Sequence, residues 1–138
     1  ATYGYLKSEY DDYLADLSGD GVITDNSDLV PRNTPENTFG LTTSYTARVG
    51  NGDLKARISY RFRDSMESES QNNPLGSLDS IHNVNANINY SINNYGISVW
   101  GRNITDEREQ RWSTIGGLTS RGWWNEPATY GVTLSASF

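Results

Sequence analysis

Tyr130-Gly131-Val132-Thr133-Leu134-Ser135-Ala136-Ser137-Phe138 alternates without a break. Tyr130, Val132, Leu134, Ala136 and Phe138 are apolar or aromatic, and Gly131, Thr133, Ser135 and Ser137 between them are small or polar. Period two marks a β-strand with one face toward something oily and the other toward something wet. The same pattern recurs upstream. Residues 95–103 set Tyr95, Ile97 and Val99 against Gly96, Ser98 and Arg102, with Trp100 breaking the pattern on the polar side. Residues 82–92 alternate Val84, Ala86, Ile88 and Tyr90 with Asn83, Asn85, Asn87 and Asn89. A row of four asparagines is costly in a dry core, where every amide needs a partner, and cheap against water. Residues 53–63 place Leu54, Ala56, Ile58, Tyr60 and Phe62 opposite Lys55, Arg57, Ser59, Arg61 and Arg63. Residues 38–49 place Phe39, Leu41, Thr43, Tyr45, Ala47 and Val49 opposite Thr38, Gly40, Thr42, Ser44, Thr46 and Arg48. A first strand over 3–14 is the least regular.

Six strands leave two short connections, Gly50-Asn51-Gly52 and Asn93-Asn94, rich in residues that tolerate positive φ. Between them lie three long connections, 16–35, 64–81 and 104–127. Short turns at one end and long loops at the other are the habit of bacterial outer-membrane barrels, whose long loops face outward. No run of ~18 apolar residues occurs, so no membrane helix is expected. A membrane strand needs only ~9–11 residues, with every second one apolar. Soluble β-sandwiches and lipocalin-like barrels show the same alternation with the apolar face turned inward. Strands of ~10–12 residues against a usual ~5–6, the loop asymmetry and the aromatic finish favour the membrane. Barrels of this kind have at least ~8 strands, and an open sheet in lipid has two unpaired edges. The expectation is an all-β, antiparallel up-and-down transmembrane β-barrel fragment of about six strands, with earlier strands upstream of Ala1.

Composition narrows the chemistry. The chain has no cysteine, so thiolate metal sites, disulfides and cysteine nucleophiles are excluded. One histidine, His82, cannot make a multi-histidine zinc site. A net charge of −6 argues against nucleic acid as a partner. Asp106, Glu107 and Glu109 are close in sequence, but no nucleophile–base set can be assembled around them, and no enzyme is expected.

Three stretches carry a family resemblance: 33–39 (Asn-Thr-Pro-Glu-Asn-Thr-Phe), 101–107 (Gly-Arg-Asn-Ile-Thr-Asp-Glu), and 126–134 (Glu-Pro-Ala-Thr-Tyr-Gly-Val-Thr-Leu) running on to Phe138. They resemble, in turn, the entry into a late strand, the turn after the penultimate strand and the closing strand of TonB-dependent outer-membrane receptors. Ala128 stands where the family often has Arg, and Glu109 or Gln110 where it often has Tyr. The resemblance implies the last strands of a 22-stranded barrel in the outer membrane of a Gram-negative bacterium. An N-terminal plug, absent from this chain, would connect it to the TonB system. The closing strand (Tyr130, Val132, Leu134, Ala136, Phe138) would carry the signal read by the barrel-assembly machinery. The function implied is uptake of a scarce small-molecule ligand, an iron–siderophore or, alternatively, an oligosaccharide. The rivals from other classes are a soluble secreted calcium- or carbohydrate-binding β-domain and a small membrane adhesin.

Three constellations stand out. Asp16, Ser18, Asp20, Val22 and Thr24, with Gly21 at the sixth position, match the first nine positions of an EF-hand-type calcium loop. The bidentate acid due at the twelfth position falls on Ser27, and Asp28 is one residue late; an acidic surface loop with Asp-Gly turns accounts for the same residues. Arg48, Lys55, Arg57, Arg61 and Arg63 form a one-sided basic stripe that would either draw an anionic ligand or pair with acids of a plug. Trp112, Trp123 and Trp124, with Arg111 and Arg121, would stack on a ligand from an outer loop or serve as an interfacial girdle. No cofactor is required, and calcium in the 16–28 loop is the one candidate.

Overall fold

The alternating stretches fold as strands, and each pairs with its nearest neighbour along the chain. The computed structural model describes residues 1–116 and 119–138. The strands are β1 (Thr2–Tyr5), β2 (Leu14–Ala15), β3 (Thr24–Asp25), β4 (Asn37–Val49), β5 (Gly52–Arg63), β6 (Met66–Glu67), β7 (Ser77–Leu78), β8 (Ile81–Ile92), β9 (Tyr95–Arg102), β10 (Gln110–Gly116), β11 (Thr119–Trp124) and β12 (Thr129–Ala136). The main sheet is antiparallel, in the order β1-β4-β5-β8-β9-β12. It is all-β and open: it does not close into a barrel. No helix among the described residues is long and apolar enough to cross a membrane, which says nothing of strands.

Strand pairing aligns the alternation of every strand. Tyr45, Ala56, Ile88, Val99 and Val132 form one row across the sheet, and Ala47, Leu54, Tyr90, Ile97 and Leu134 the next. Directly paired residues share a face, so one whole face is apolar. Nothing in the described chain covers it: Leu134 is 76% exposed, Val132 63% and Ile88 52%. The opposite face carries Thr, Ser, Asn, Lys and Arg.

Trp100 sits on the polar face, and the reason is a fitted joint. It pairs with Gly131, where an added Cβ would come within 2.3 Å of the indole. Its Nε1 donates to Thr133 Oγ1 at 3.3 Å, and the Arg102 guanidinium lies 5.4 Å from the ring centre. Tyr90 packs the same way on Gly52, on the apolar face, and its hydroxyl donates to Val49 O at 3.0 Å.

Three expectations need correction. The first strand does not run over 3–14. Its partner β4 begins at Asn37, opposite Tyr5, so the ladder ends there and the chain leaves after the Leu6 amide donates to Glu36 O. The strand over 130–138 is Thr129–Ala136, because β9 begins at Tyr95, opposite Ala136; the Ser137 amide still donates to Asn94 O, and Phe138 lies beyond the strand. The count of about six strands holds for the main sheet alone, because the long connections carry strands of their own. Each holds a two-stranded ladder: β2–β3, β6–β7 and β10–β11.

These connections hold the buried side chains. Leu78 and Ser113 are 1% exposed, and Ser68, Asn103 and Glu109 are also buried, with Ile81 beside them at the start of β8. Ser68 Oγ donates to Gly76 O and Ser113 O, and Ser113 Oγ donates to Leu75 O, which ties the second connection to the third. The Val30 amide donates to Asn72 Oδ1 while Asn72 Nδ2 donates to Val30 O, which ties the first to the second. All three lie at the end of the sheet away from the turns at Gly50 and Asn93, both of positive φ.

Candidate functional site

Charge is segregated in this molecule. Six of the 11 Lys and Arg residues, but only Asp53 of the 17 Asp and Glu, lie on the six strands of the main sheet. The sheet therefore carries a formal +5 and the rest of the chain −11, which together give the −6 of the whole. All six cations project from the polar face. Arg48 stands opposite Asp53, while Lys55 and Arg57 stand between Thr46 and Ser44 on one side and Asn89 and Asn87 on the other. Among the described residues, neither Lys55 nor Arg57 has an ion-pair partner.

At the loop end of this row the face meets the third connection. Arg61 donates to Glu109 Oε2 at 3.2 Å, and Arg111 Nε lies 4.0 Å from the same oxygen. The Glu109 side chain is only 10% exposed, against 57% and 62% for those of its two partners. Glu109 is held from its backbone as well: its amide donates to Asn125 Oδ1, and its carbonyl accepts from the Asn125 amide. Arg63 donates to Asp79 O, and its buried Nε has no partner among the described residues. Arg61, Arg63, Glu109, Arg111 and Asn125 line an open concavity of about 1330 Å³, together with Asn83, Asn85, Arg102, Trp124 and Glu126.

Asn103 joins the parts. It is buried, with φ of 49°. Its Nδ2 donates to Glu107 O and Glu126 O, its Oδ1 accepts from the Glu107 amide and Asn83 Nδ2, and its amide donates to Asn85 Oδ1. Asp106 Oδ1 accepts from the Ala128 amide. The turn over 103–106 thus bonds directly to the entry of β12, so two of the three stretches that carried the resemblance meet in space. Asparagine suits the position because it tolerates positive φ and both accepts and donates.

Trp112 and Trp123 are cross-strand partners on the β10–β11 hairpin, not on an irregular loop. Their rings meet edge-on, with centres 6.2 Å apart, and both are exposed. Trp124 neighbours them, and Arg121 lies opposite Thr114. The structure brings Trp124 and Arg111 to the concavity with Arg61 and Arg63; Trp112, Trp123 and Arg121 are not part of its lining. On the closing strand, Tyr130, Val132, Leu134 and Ala136 sit on the apolar face at the sheet edge.

The 16–28 loop folds around Asp16. Its carboxylate accepts from the Gly21 amide at 2.8 Å, the Gly19 amide at 2.6 Å and Ser18 Oγ at 3.2 Å. These bonds, the Gly21 amide first, hold the Asp16 carboxyl below its ordinary value against the opposing effect of desolvation. Asp20 Oδ1 accepts from the Val22 amide, and Thr24 pairs with Ala15 in the β2–β3 ladder. Asp28 is exposed. No group of three or more His, Asp or Glu side chains able to hold a metal occurs among the described residues.

Glu109 and Asn103 are the site residues whose importance the sequence did not disclose. Glu109 is polar at the foot of a loop, and its partner Arg61 is 48 positions away. A scan against protein-family models found no matching family, and searches of curated proteins and of solved structures found no match.

Proposed function

We propose that this chain forms part of the wall and outer loops of an outer-membrane uptake barrel of the TonB-dependent receptor kind. The observation that carries this reading is the uncovered apolar face, aligned across all six strands. A soluble sandwich must bury such a face, and monomeric soluble proteins rarely expose apolar patches beyond a few hundred Å².

Aromatic placement supports the same reading. Tyr3, Phe39, Phe62 and His82 form a row near the loop end of the apolar face, with Tyr60 beside them, and Tyr90 and Tyr95 lie near the turn end. His82 to Tyr90 spans eight residues, about 27 Å along the strand, or roughly 20 Å of depth at a barrel tilt of ~40°. Outer-membrane barrels have an apolar band ~25 Å tall between two aromatic girdles. The two open edges of the sheet need further strands to pair with, since lipid does not satisfy backbone amides. In this arrangement the polar face lines the interior, the interlocked connections lie outside the cell, and a scarce small ligand enters past them. An iron–siderophore is the preferred cargo. Oligosaccharide is the second reading, favoured by the exposed Trp112–Trp123 pair, which offers aromatic surface to sugar rings.

The absence of cysteine makes the test clean. Single cysteines at Leu134 or Ile88 on the apolar face, and at Asn87 or Ser98 on the polar face, are probed with a water-soluble maleimide in cells carrying the protein as its gene encodes it. Protection at the first pair and reaction at the second is the expected result. Equal labelling of both faces, or a protein that is soluble and monodisperse without detergent, would sink the proposal.

A further inference from the structure

We infer that the concavity at the foot of the β10–β11 hairpin receives a small ligand bearing carboxylate or phosphate groups, and that Glu109 keeps the ligand's place on Arg61. This rests on the reading that the polar face lines the route of a cargo. Four guanidinium groups line the concavity, those of Arg61, Arg63, Arg102 and Arg111, against two carboxylates, Glu109 and Glu126. Each guanidinium has five N–H donors in a planar fork that matches a carboxylate or phosphate. Here they are mostly unspent. Arg61 gives one bond to Glu109, Arg111 only approaches the same oxygen at 4.0 Å, and the buried Arg63 Nε has no partner among the described residues.

Burial is lopsided in a way that suits exchange. The Glu109 carboxylate is sunk while the two arginines it faces remain more than half exposed. An anion arriving from the open side therefore meets donors first, and the resident carboxylate lies behind them. The positive row also continues past the concavity. Arg57 and Lys55 follow Arg61 on the same face of β5, at steps of about 7 Å for every second residue. Lacking ion-pair partners among the described residues, they extend the attraction along the face. A neutral ligand would leave this surplus of donors unmatched; an anionic one fills it.

The test uses citrate as the anionic probe and maltotriose as the uncharged control, titrated calorimetrically into the detergent-solubilised protein as its gene encodes it. Citrate is expected to bind, and salt to weaken it. Glu109→Gln removes the competing charge and is expected to tighten citrate by about tenfold, the scale of one charge-assisted hydrogen bond. Arg111→Gln, an exposed change that leaves the fold intact, is expected to weaken citrate and leave the maltotriose titration unchanged. The inference is overturned if citrate fails to bind, if Glu109→Gln leaves its affinity unchanged or weaker, if Arg111→Gln has no effect, or if maltotriose binds as well as citrate. Should Glu109→Gln not fold, the Arg111→Gln outcome decides alone. Failure of the barrel reading would show instead in the cysteine labelling of the two faces, whatever citrate does.

Discussion

The sheet and the layer of connections above it are built on opposite plans. The sheet is regular, with β4, β5 and β8 running 12 or 13 residues, and leaves its apolar face uncovered. The connections are short ladders and turns, yet they hold the buried Leu78, Ser113, Ser68 and Glu109. The difference teaches where each part finds its stability. The connections satisfy their own groups by bonds such as Ser113 Oγ to Leu75 O. The sheet pairs the backbone of its inner strands internally, but its two edges stay open and its apolar face depends on its surroundings. Removing a large apolar side chain from water is worth about 1.5–3 kcal/mol, so that dependence is strong.

The largest expected effect breaks the sheet alone. Val99→Arg puts a charge at the middle of the apolar face and, on the proposed barrel reading, is expected to destabilise the protein in membranes by about 2–4 kcal/mol. Ser98→Arg, one residue away on the polar face, is expected to change little. Denaturant titration of lipid-reconstituted protein distinguishes the two, and equal costs would refute the face assignment.

Next comes the joint between the two regions. Asn103→Ala strips a buried side chain of its contacts to Glu107, Glu126 and Asn83. Leaving these part-buried groups unmatched costs up to about 1–3 kcal/mol, and the turn and the entry to β12 should become protease-sensitive before the rest. Proteolysis followed by mass spectrometry would locate the first cut; a first cut elsewhere counts against the hub. A change of comparable or smaller size within the sheet is Gly131→Leu, which drives Trp100 off its seat at about 1–3 kcal/mol for overpacking. Its signature is a shifted indole fluorescence, which Gly96→Ala should not produce.

The smallest effect separates the 16–28 loop from everything else. The Asp16 carboxyl is held below its ordinary value of 3.8 in the folded chain. A depressed carboxyl contributes stability that is present above the unfolded value and lost as pH falls through the folded one. Acidification below about 3.8 should therefore loosen the Asp16–Gly21 turn, and Asp16→Asn should remove that pH dependence. Amide exchange of Gly19 and Gly21 as a function of pH is the measurement; protection that does not change with pH would contradict it. Calcium raises the stakes of the same loop. If it binds there, added calcium should protect these amides in the wild type and not in Asp16→Asn.

The sheet could be read from sequence because its face rule is local. Each of Leu54, Ala56, Ile58, Tyr60 and Phe62 declares its side by its distance from the next, and cross-strand register follows from two tight turns. Even the exception, Trp100, was visible as an exception, though its cause, Gly131, was not, since the two meet only through pairing 31 residues apart. The site was less legible. The basic stripe could be read along β5, but Glu109, which meets it, belongs to another element and carries no periodic signal. Two of the three small ladders in the long connections escaped notice because β2, β3, β6 and β7 have two residues each, too few to show alternation.

Asn72 brackets Val30 from both sides, accepting from its amide and donating to its carbonyl. With Ser68 and Ser113 binding the second connection to the third, no long connection is free to vary alone. A lineage or an engineer changing one of these connections would have to exchange the three as a set. A graft of the 104–127 stretch by itself would arrive without its receptors at Ser68 and Leu75. Compatible variants should then carry linked changes near positions 30, 72 and 113, inherited together like the wards of one lock.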